Sequence, residues 1–151
     1  MSSSMVEFSD IRYEVKDAVA RITINRPDKL NAFTPHTLRE LTSAVRRAGE
    51  DGDVGGIVLT GAGERAFCAG GDVSVEDEST FNAGDDSFDE LVKQLYRAFR
   101  ECLKPVIARV HGIATAAGCQ LVATCDLAIA SDDARFATPG VNIGLFCSTP
   151  M

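Results

Sequence analysis

Two short runs near the start of the chain alternate apolar and polar residues. They span residues 11–15 and 19–24 and are separated by a turn at Lys16 and Asp17. Strict two-residue alternation over this length is typical of half-buried β-strands. Because the connection is so short, the pattern predicts a β-hairpin.

Two later stretches place apolar residues at helical spacing. In the first, Thr34 is a suitable N-cap, Pro35 fits the first helical position, and Phe33 can pack on Leu38. The second begins at Ser87, which has capping-box spacing to a glutamate. The apolar faces of the two predicted helices consist of Leu38, Leu41, Val45 and Ala48, and of Phe88, Leu91, Val92, Leu95, Phe99, Cys102 and Leu103.

Short apolar runs between these helices predict buried strands. Residues 55–60 are nearly all apolar, as expected of a parallel strand covered on both faces, and residues 106–110 form the next run after Pro105. A short helix over 117–124, a strand over 126–130 and an extended piece around Phe136 follow. The alternation of strand and helix predicts an α/β fold with a parallel sheet and right-handed crossovers.

Charge and composition exclude several classes of function. With a net charge of −7 and scattered basic residues, the chain is unlike a nucleic-acid-binding protein. No apolar stretch is long enough to predict a membrane span, and the first residues lack the features of a targeting sequence, so we expect a cytoplasmic protein. The five cysteines are odd in number and form no C-x-x-C pair, which predicts reduced thiols and neither a disulfide framework nor a metal site.

Two glycine-rich segments have the makings of backbone anion sites. In residues 66–72, small residues and paired glycines follow a strand and leave main-chain N–H groups unobstructed. In residues 111–120, a strand leads through small residues into the N-terminus of a helix. Two such sites facing each other would hold a developing oxyanion, whereas the alternative interpretation is a pair of ordinary tight turns.

Five motifs give the chain a resemblance to a known family. They are NRPDKLNA at 25–32, AFCAGGD at 66–72, KPVIA at 104–108, VHG at 110–112 and GCQLVATCD at 118–126. In order and spacing they resemble the enoyl-CoA hydratase/isomerase (crotonase) family over almost the whole chain. The resemblance implies a crotonase-like spiral of ββα units, cut before its C-terminal helices. We therefore expect a flexible terminus over residues 1–10 and an incomplete acyl-CoA-binding domain over 11–151.

The same resemblance implies site residues and partners. Gly71 and Ala117 fall where family members donate two backbone N–H groups to a thioester carbonyl oxygen. The substrate is then an acyl-CoA thioester, with no further cofactor, and the full-length protein is expected to form a homotrimer or a dimer of trimers. The positions implied for binding coenzyme A and the acyl chain are Lys29, Leu30, Ala32, Ala69, Asp72, Val73, Ala116, Pro139 and Leu145.

The departures from the family pattern leave the function open. The two glutamates that hold and activate water in a hydratase correspond here to Gln120 and Gly140. An amide cannot act as a general base, and glycine has no side chain. Three hypotheses therefore remain: an acyl-CoA enzyme acting through a thioester enolate, a binding or regulatory protein that has lost hydration, and an inert fragment.

Several other residues have simpler interpretations. We expect His111 to have a packing or hydrogen-bonding role, His36 to be solvated and Cys119 to be a buried thiol. The acidic segment 74–86 is predicted to be a mobile, solvated loop, although its carboxylates at 76–78 are an alternative source of a catalytic base.

Overall fold

The computed structural model describes residues 7–72, 74 and 87–144. Within these residues the chain forms strands β1–β8, helices α1–α3 and two 3-10 helices. The strands are β1 Ile11–Lys16, β2 Val19–Ile24, β3 Gly56–Gly61, β4 Ala66–Cys68, β5 Val106–Val110, β6 Ile113–Thr115, β7 Leu127–Ala130 and β8 Arg135–Ala137. The α-helices are α1 Pro35–Glu50, α2 Phe88–Glu101 and α3 Ala117–Thr124, and the 3-10 helices are Pro27–Lys29 and Pro139–Ile143.

The strands form two sheets. The larger has the order β1-β2-β3-β5-β7, in which only β1 and β2 are antiparallel. The smaller has the order β4-β6-β8 and is parallel throughout. The predicted α/β fold with a parallel sheet is therefore confirmed, and each of β3, β5 and β7 is followed by a strand that crosses to the second sheet.

The predicted hairpin is present, with its turn one residue later than expected. Lys16 pairs with Val19, so the turn residues are Asp17 and Ala18, with φ of 51° and 62°. Left-handed backbone at both central positions matches the twist of a two-residue hairpin.

Helix α1 begins and packs as the sequence predicts. The Thr34 side chain accepts a hydrogen bond from the Thr37 N–H, and Pro35 occupies the first turn. The helix presents Leu38, Leu41, Val45 and Ala48 to the core, where all four are fully buried. Complete burial of one leucine side chain contributes about 1.5–3 kcal/mol, so this face accounts for much of the attachment of α1 to the sheet.

The residues before β1 are attached to α1. The backbone N–H groups of Ser9 and Asp10, at the end of the segment predicted to be flexible, donate to the Glu40 carboxylate at 2.7 and 2.8 Å. The Glu40 side chain is itself almost buried, so these donors compensate for its removal from water. Residues 1–6 lie outside the described part of the chain.

Helix α2 follows the predicted stripe except at its end. Ser87 caps it by accepting from the Glu90 N–H at 3.2 Å, and Leu91, Leu95 and Phe99 are buried. Leu103, predicted to continue the apolar face, is 98% exposed. The prediction was wrong there because the helix ends at Glu101, so residue 103 no longer follows the helical spacing.

Candidate functional site

Two of the segments implied in coenzyme A binding are joined by backbone hydrogen bonds. The Ala69 N–H donates to the Leu30 oxygen at 3.0 Å, the Phe33 N–H to the Gly70 oxygen at 2.8 Å, and the Asp72 N–H to the Phe33 oxygen at 2.8 Å. Residues 69–72 thus run parallel to residues 30–33, with Phe33 opposite Gly71.

This pairing decides where the Gly71 N–H points. In a trans peptide the C=O and the following N–H lie on opposite sides of the chain. Because the Gly70 C=O is bound to Phe33, the N–H of Gly71 faces away from Phe33. No acceptor for this N–H exists among the described residues.

The second glycine-rich segment packs directly on the first. A Cβ added to Gly70 would lie 3.0 Å from the Ala116 Cβ and 3.2 Å from the Ala117 nitrogen. The Thr115 hydroxyl also donates to the Ala69 oxygen at 3.3 Å. The two segments predicted to face each other are therefore in contact, and this contact needs glycine at position 70, where φ is 94°.

Ala117 is the first residue of α3. Within the described chain its N–H has no acceptor, as is usual for the first turn of a helix. Helix α3 packs so closely on β4 that position 118 must be glycine, since a Cβ on Gly118 would lie 2.1 Å from the Cys68 oxygen. The helix therefore directs its positive N-terminal end toward the segment that contains Gly71.

Ala116, which precedes this helix, has an unusual backbone. Its φ is 51° and its ψ is −127°, a conformation rarely adopted by residues with a side chain. Strain of this kind costs about 1–3 kcal/mol and persists where the surrounding structure enforces it. The Ala116 N–H donates to the Ala137 oxygen at 2.9 Å, which helps to enforce it.

Asp72, implied as a binding residue, is held by its neighbours. Its Oδ2 accepts from both terminal nitrogens of Arg26 at 3.1 Å, and its Oδ1 accepts from the Ser74 N–H and hydroxyl at 3.0 and 2.5 Å. The Ser74 hydroxyl hydrogen bond, assisted by Arg26, lowers the pKa of Asp72. With both oxygens occupied, the carboxylate anchors the loop. Arg26 lies inside the NRPDKLNA motif, but its role was not predicted from the sequence.

Asn31 fixes the turn that contains Lys29, Leu30 and Ala32. Its fully buried amide donates to the Ala62 and Ala66 oxygens at 2.9 and 2.8 Å, and its oxygen accepts from the Arg26 N–H at 2.9 Å. Lys29 ends the first 3-10 helix and is exposed, whereas Ala32 is buried. Lys29 is thus the one of these three implied binding residues that offers a charged group to solvent.

The two positions that correspond to the family's glutamates lie on different elements. Gln120 is half-buried in α3, and Gly140 lies in the second 3-10 helix, after Pro139. The hydrogen bond from Ala116 to Ala137 brings the end of β8 beside the start of α3, three residues before Gly140. Val73 and Leu145, and most of the predicted acidic loop, lie outside the described residues.

The remaining candidates have structural surroundings. His111 Nε2 is buried without a hydrogen-bond partner in the described structure. His36 is exposed and contacts Ser9 and Glu40. Burial raises the pKa of the Cys68 thiol to about 12, which makes it unreactive at neutral pH. Across the described ranges no group of side chains could hold a metal ion, and no helix has the length and hydropathy to cross a membrane.

Comparison with known proteins confirms the resemblance. The family model for enoyl-CoA hydratase/isomerase matches residues 14–150. An enoyl-CoA hydratase/isomerase from Mycobacterium paratuberculosis is 40% identical, with a TM-score of 0.77 over 95% of this chain and 53% of its own. Human enoyl-CoA hydratase domain-containing protein 3 is 38% identical, with a TM-score of 0.81 over 94% of this chain and 56% of its own. An enoyl-CoA hydratase from Mycobacterium smegmatis is 42% identical, with a TM-score of 0.81 over 94% and 55%.

The chain thus spans little more than half the length of each of these relatives. The family match over residues 14–150 includes both glycine-rich segments, and the structural matches cover 94–95% of the chain. On this combination of family match, topology and site geometry, the chain belongs to the enoyl-CoA hydratase/isomerase family.

Proposed function

We propose that this chain binds the thioester group of an acyl-CoA and stabilises its enolate. The N–H groups of Gly71 and Ala117 donate to the thioester carbonyl oxygen, on which negative charge develops when a proton leaves the neighbouring carbon or a nucleophile adds to the conjugated double bond. The observation that carries the proposal is the contact between Gly70 and the Ala116–Ala117 peptide beside two N–H groups without acceptors in the described chain.

Preorganised backbone donors are well suited to this chemistry. They need no proton transfer, and they are already oriented before charge appears on the oxygen. Loss of one such donor typically costs about 2.7–4 kcal/mol of transition-state stabilisation. The small residues at 69–71 and 116–118 support the assignment because they leave room for the thioester.

The pairing of residues 30–33 with 69–72 supports a binding role for the first of these segments. It places the exposed Lys29 near the start of the segment that leads to Gly71. A lysine ammonium is a suitable partner for the phosphates of coenzyme A. Leu30, Ala32, Ala69, Val73, Ala116, Pro139 and Leu145 remain proposed contacts to the rest of the ligand.

The second candidate function is acyl-CoA binding with little catalysis. It is favoured by Gln120 and Gly140, because neither residue can remove a proton from water. Under this alternative the protein keeps the oxyanion donors and the residues that bind coenzyme A, and it loses only the ability to hydrate the substrate. Homotrimers or dimers of trimers in the cytoplasm remain our expectation for the full-length protein under both candidates.

The test uses the full-length protein and a panel of acyl-CoA thioesters. We expect saturable binding by calorimetry, and slow hydration of a short enoyl-CoA measured as loss of the enoyl-thioester absorbance. Gln120→Glu and Gly140→Glu together should raise the rate by more than the product of their separate effects, because the two carboxylates act as a unit. Fast hydration by the unmodified protein would show that a carboxylate elsewhere acts as the base, and absence of thioester binding would refute both candidates.

The donor is tested separately at position 71. Gly71→Pro removes the N–H and should lower any enolate-dependent rate by about 100–1000-fold. Gly71→Ala is the matched control, since it keeps the N–H and only brings a Cβ to 3.0 Å from the Phe88 ring. Equal losses in the two variants would argue against donation by this N–H.

A further inference from the structure

We propose that Arg26 is a positioning residue for the Gly71 donor. It holds together the two segments whose pairing orients the Gly71 N–H, and it does so through Asp72 and the Ala32 backbone. The inference rests on the proposed function, because orientation matters only if this N–H donates to a substrate oxygen.

The Arg26 guanidinium contacts both segments at once. Nη1 donates to the Ala32 oxygen at 2.5 Å and to Asp72 Oδ2 at 3.1 Å, and Nη2 donates to the same Oδ2 at 3.1 Å. The side chains of Arg26 and Asp72 are 17% and 7% exposed. Ion pairs this well shielded from water are screened less than surface pairs, and removing one partner leaves an uncompensated charge.

A third contact connects the clamp, formed by Arg26 with Asp72 and the Ala32 oxygen, to the start of α1. Arg26 Nε lies 3.8 Å from Asp10 Oδ2, which also accepts from the Thr37 hydroxyl at 2.5 Å. Thr37 belongs to the capping box of α1. Through Asp10, the guanidinium is therefore also connected to the capping box of α1.

These contacts act on Gly71 through peptide geometry. The direction of the Gly71 N–H is set by the Gly70 carbonyl, which is bound to the Phe33 N–H. That bond survives only while residues 30–33 stay docked on residues 69–72. Arg26 binds Ala32, adjacent to Phe33, and Asp72, adjacent to Gly71, so it restrains the pair on both sides.

Lysine cannot replace arginine in this role. The planar guanidinium donates to the Ala32 oxygen and, through both terminal nitrogens, to Asp72 Oδ2, whereas an ammonium is a compact charge on a flexible chain. Arg26→Lys therefore keeps the charge and removes most of the geometric restraint.

The experiment measures polarisation of the bound thioester carbonyl in the full-length protein. An acyl-CoA labelled with ¹³C at the thioester carbonyl is followed by isotope-edited infrared spectroscopy, and its affinity by calorimetry. In the unmodified protein we expect the carbonyl stretch to move to lower wavenumber on binding. In Arg26→Lys we expect most of that shift to be lost while the dissociation constant changes less than about fivefold. Any enolate-dependent kcat should fall by about 10–100-fold, as expected for a misplaced catalytic donor.

Two further variants complete the design. Asp72→Asn removes the carboxylate side of the clamp, and it should reduce the carbonyl shift. In the double variant it should add nothing to the effect of Arg26→Lys, because the two residues share one interaction. Arg21→Gln is the matched control: it removes an arginine that is 54% exposed and pairs with Glu14 at 3.9 Å on the hairpin, and the shift should be unchanged.

The outcomes separate the inference from the function on which it rests. No carbonyl shift in the unmodified protein would refute the proposed oxyanion donors. A normal shift that persists in both Arg26→Lys and Asp72→Asn would overturn the positioning role and leave the donors intact. If Arg26→Lys does not fold, the decision rests on the folded Asp72→Asn variant.

Discussion

Ala116 holds a backbone conformation that suits glycine, one residue before a proposed oxyanion donor. Its positive φ is enforced from both sides, by the bond from its N–H to Ala137 and by the close packing of Gly70. Strain at this residue is the cost of turning sharply from β6 into α3, so that the first N–H of the helix faces the Gly71 segment. At the scale of single residues, the site is therefore made of backbone geometry more than of side-chain chemistry.

This strain can be measured by substitution. Ala116→Gly removes the Cβ that makes the conformation unfavourable, and we expect it to raise the free energy of unfolding by about 1 kcal/mol, the strain relieved less the added entropy of the unfolded chain. Chemical denaturation measures the change. Ala117→Gly, one residue further and with helical backbone, should instead destabilise by up to about 1 kcal/mol. Equal destabilisation by both substitutions would show that Ala116 is not strained.

At the scale of elements, the important contact is that between α3 and β4. Gly118 lies in the first turn of α3, where any Cβ would overlap the carbonyl of Cys68. The helix can approach this closely only because position 118 has no side chain. That approach brings the N-terminus of α3 beside residues 69–71.

Gly118→Ala should separate the two elements. The added Cβ would clash with backbone, which cannot rotate away. We therefore expect the free energy of unfolding to fall by about 1–3 kcal/mol and thioester binding to weaken. Gly52→Ala is the control, because nothing lies within 4 Å of its added Cβ. A stable Gly118→Ala protein with unchanged thioester affinity would mean that the distance between α3 and β4 is unimportant for the site.

The elements differ in how well the sequence could predict them. Helix α1 and the hairpin carry long, regular patterns, and both were predicted to within about a residue at the turn and cap. An extended piece was predicted around Phe136, where β8 lies, but a second sheet was not predicted, because β4, β6 and β8 have three residues each, too few to establish a period. Leu103 was misplaced because helical spacing alone does not reveal that α2 ends at Glu101.

The residues of the candidate site also differ in how far the sequence indicates their roles. The glycine-rich segments alone left backbone anion sites and tight turns as alternatives. The assignment of Gly71 and Ala117 as donors came from the family resemblance and stays a prediction. The role of Arg26 could not be predicted, because its partners Asp10 and Asp72 are 16 and 46 residues away and are brought to it only by the fold. Long-range ion pairs of this kind leave no periodic trace in a sequence.

At the scale of the whole molecule, the last strand of each sheet carries apolar residues in contact with solvent. Strand β7 lies at the edge of that sheet, and all four of its residues are exposed in the described structure. Leu127 and Ile129 are 62% and 66% exposed, and Phe136 of β8 is 49% exposed. Unpaired edge strands with apolar side chains promote association between chains.

A protein of these 151 residues should therefore associate as its concentration rises. Sedimentation velocity over a range of concentrations measures this association. We expect the double variant Leu127→Lys, Ile129→Lys to shift the distribution toward monomer, since two ammonium groups oppose burial of the β7 edge. Leu103→Lys is the matched control: it replaces an equally large leucine that is 98% exposed and belongs to neither edge strand, and it should leave association unchanged. A monodisperse monomer with a cooperative melting transition would contradict the prediction, because it would show that the exposed edge of β7 and β8 does not drive association.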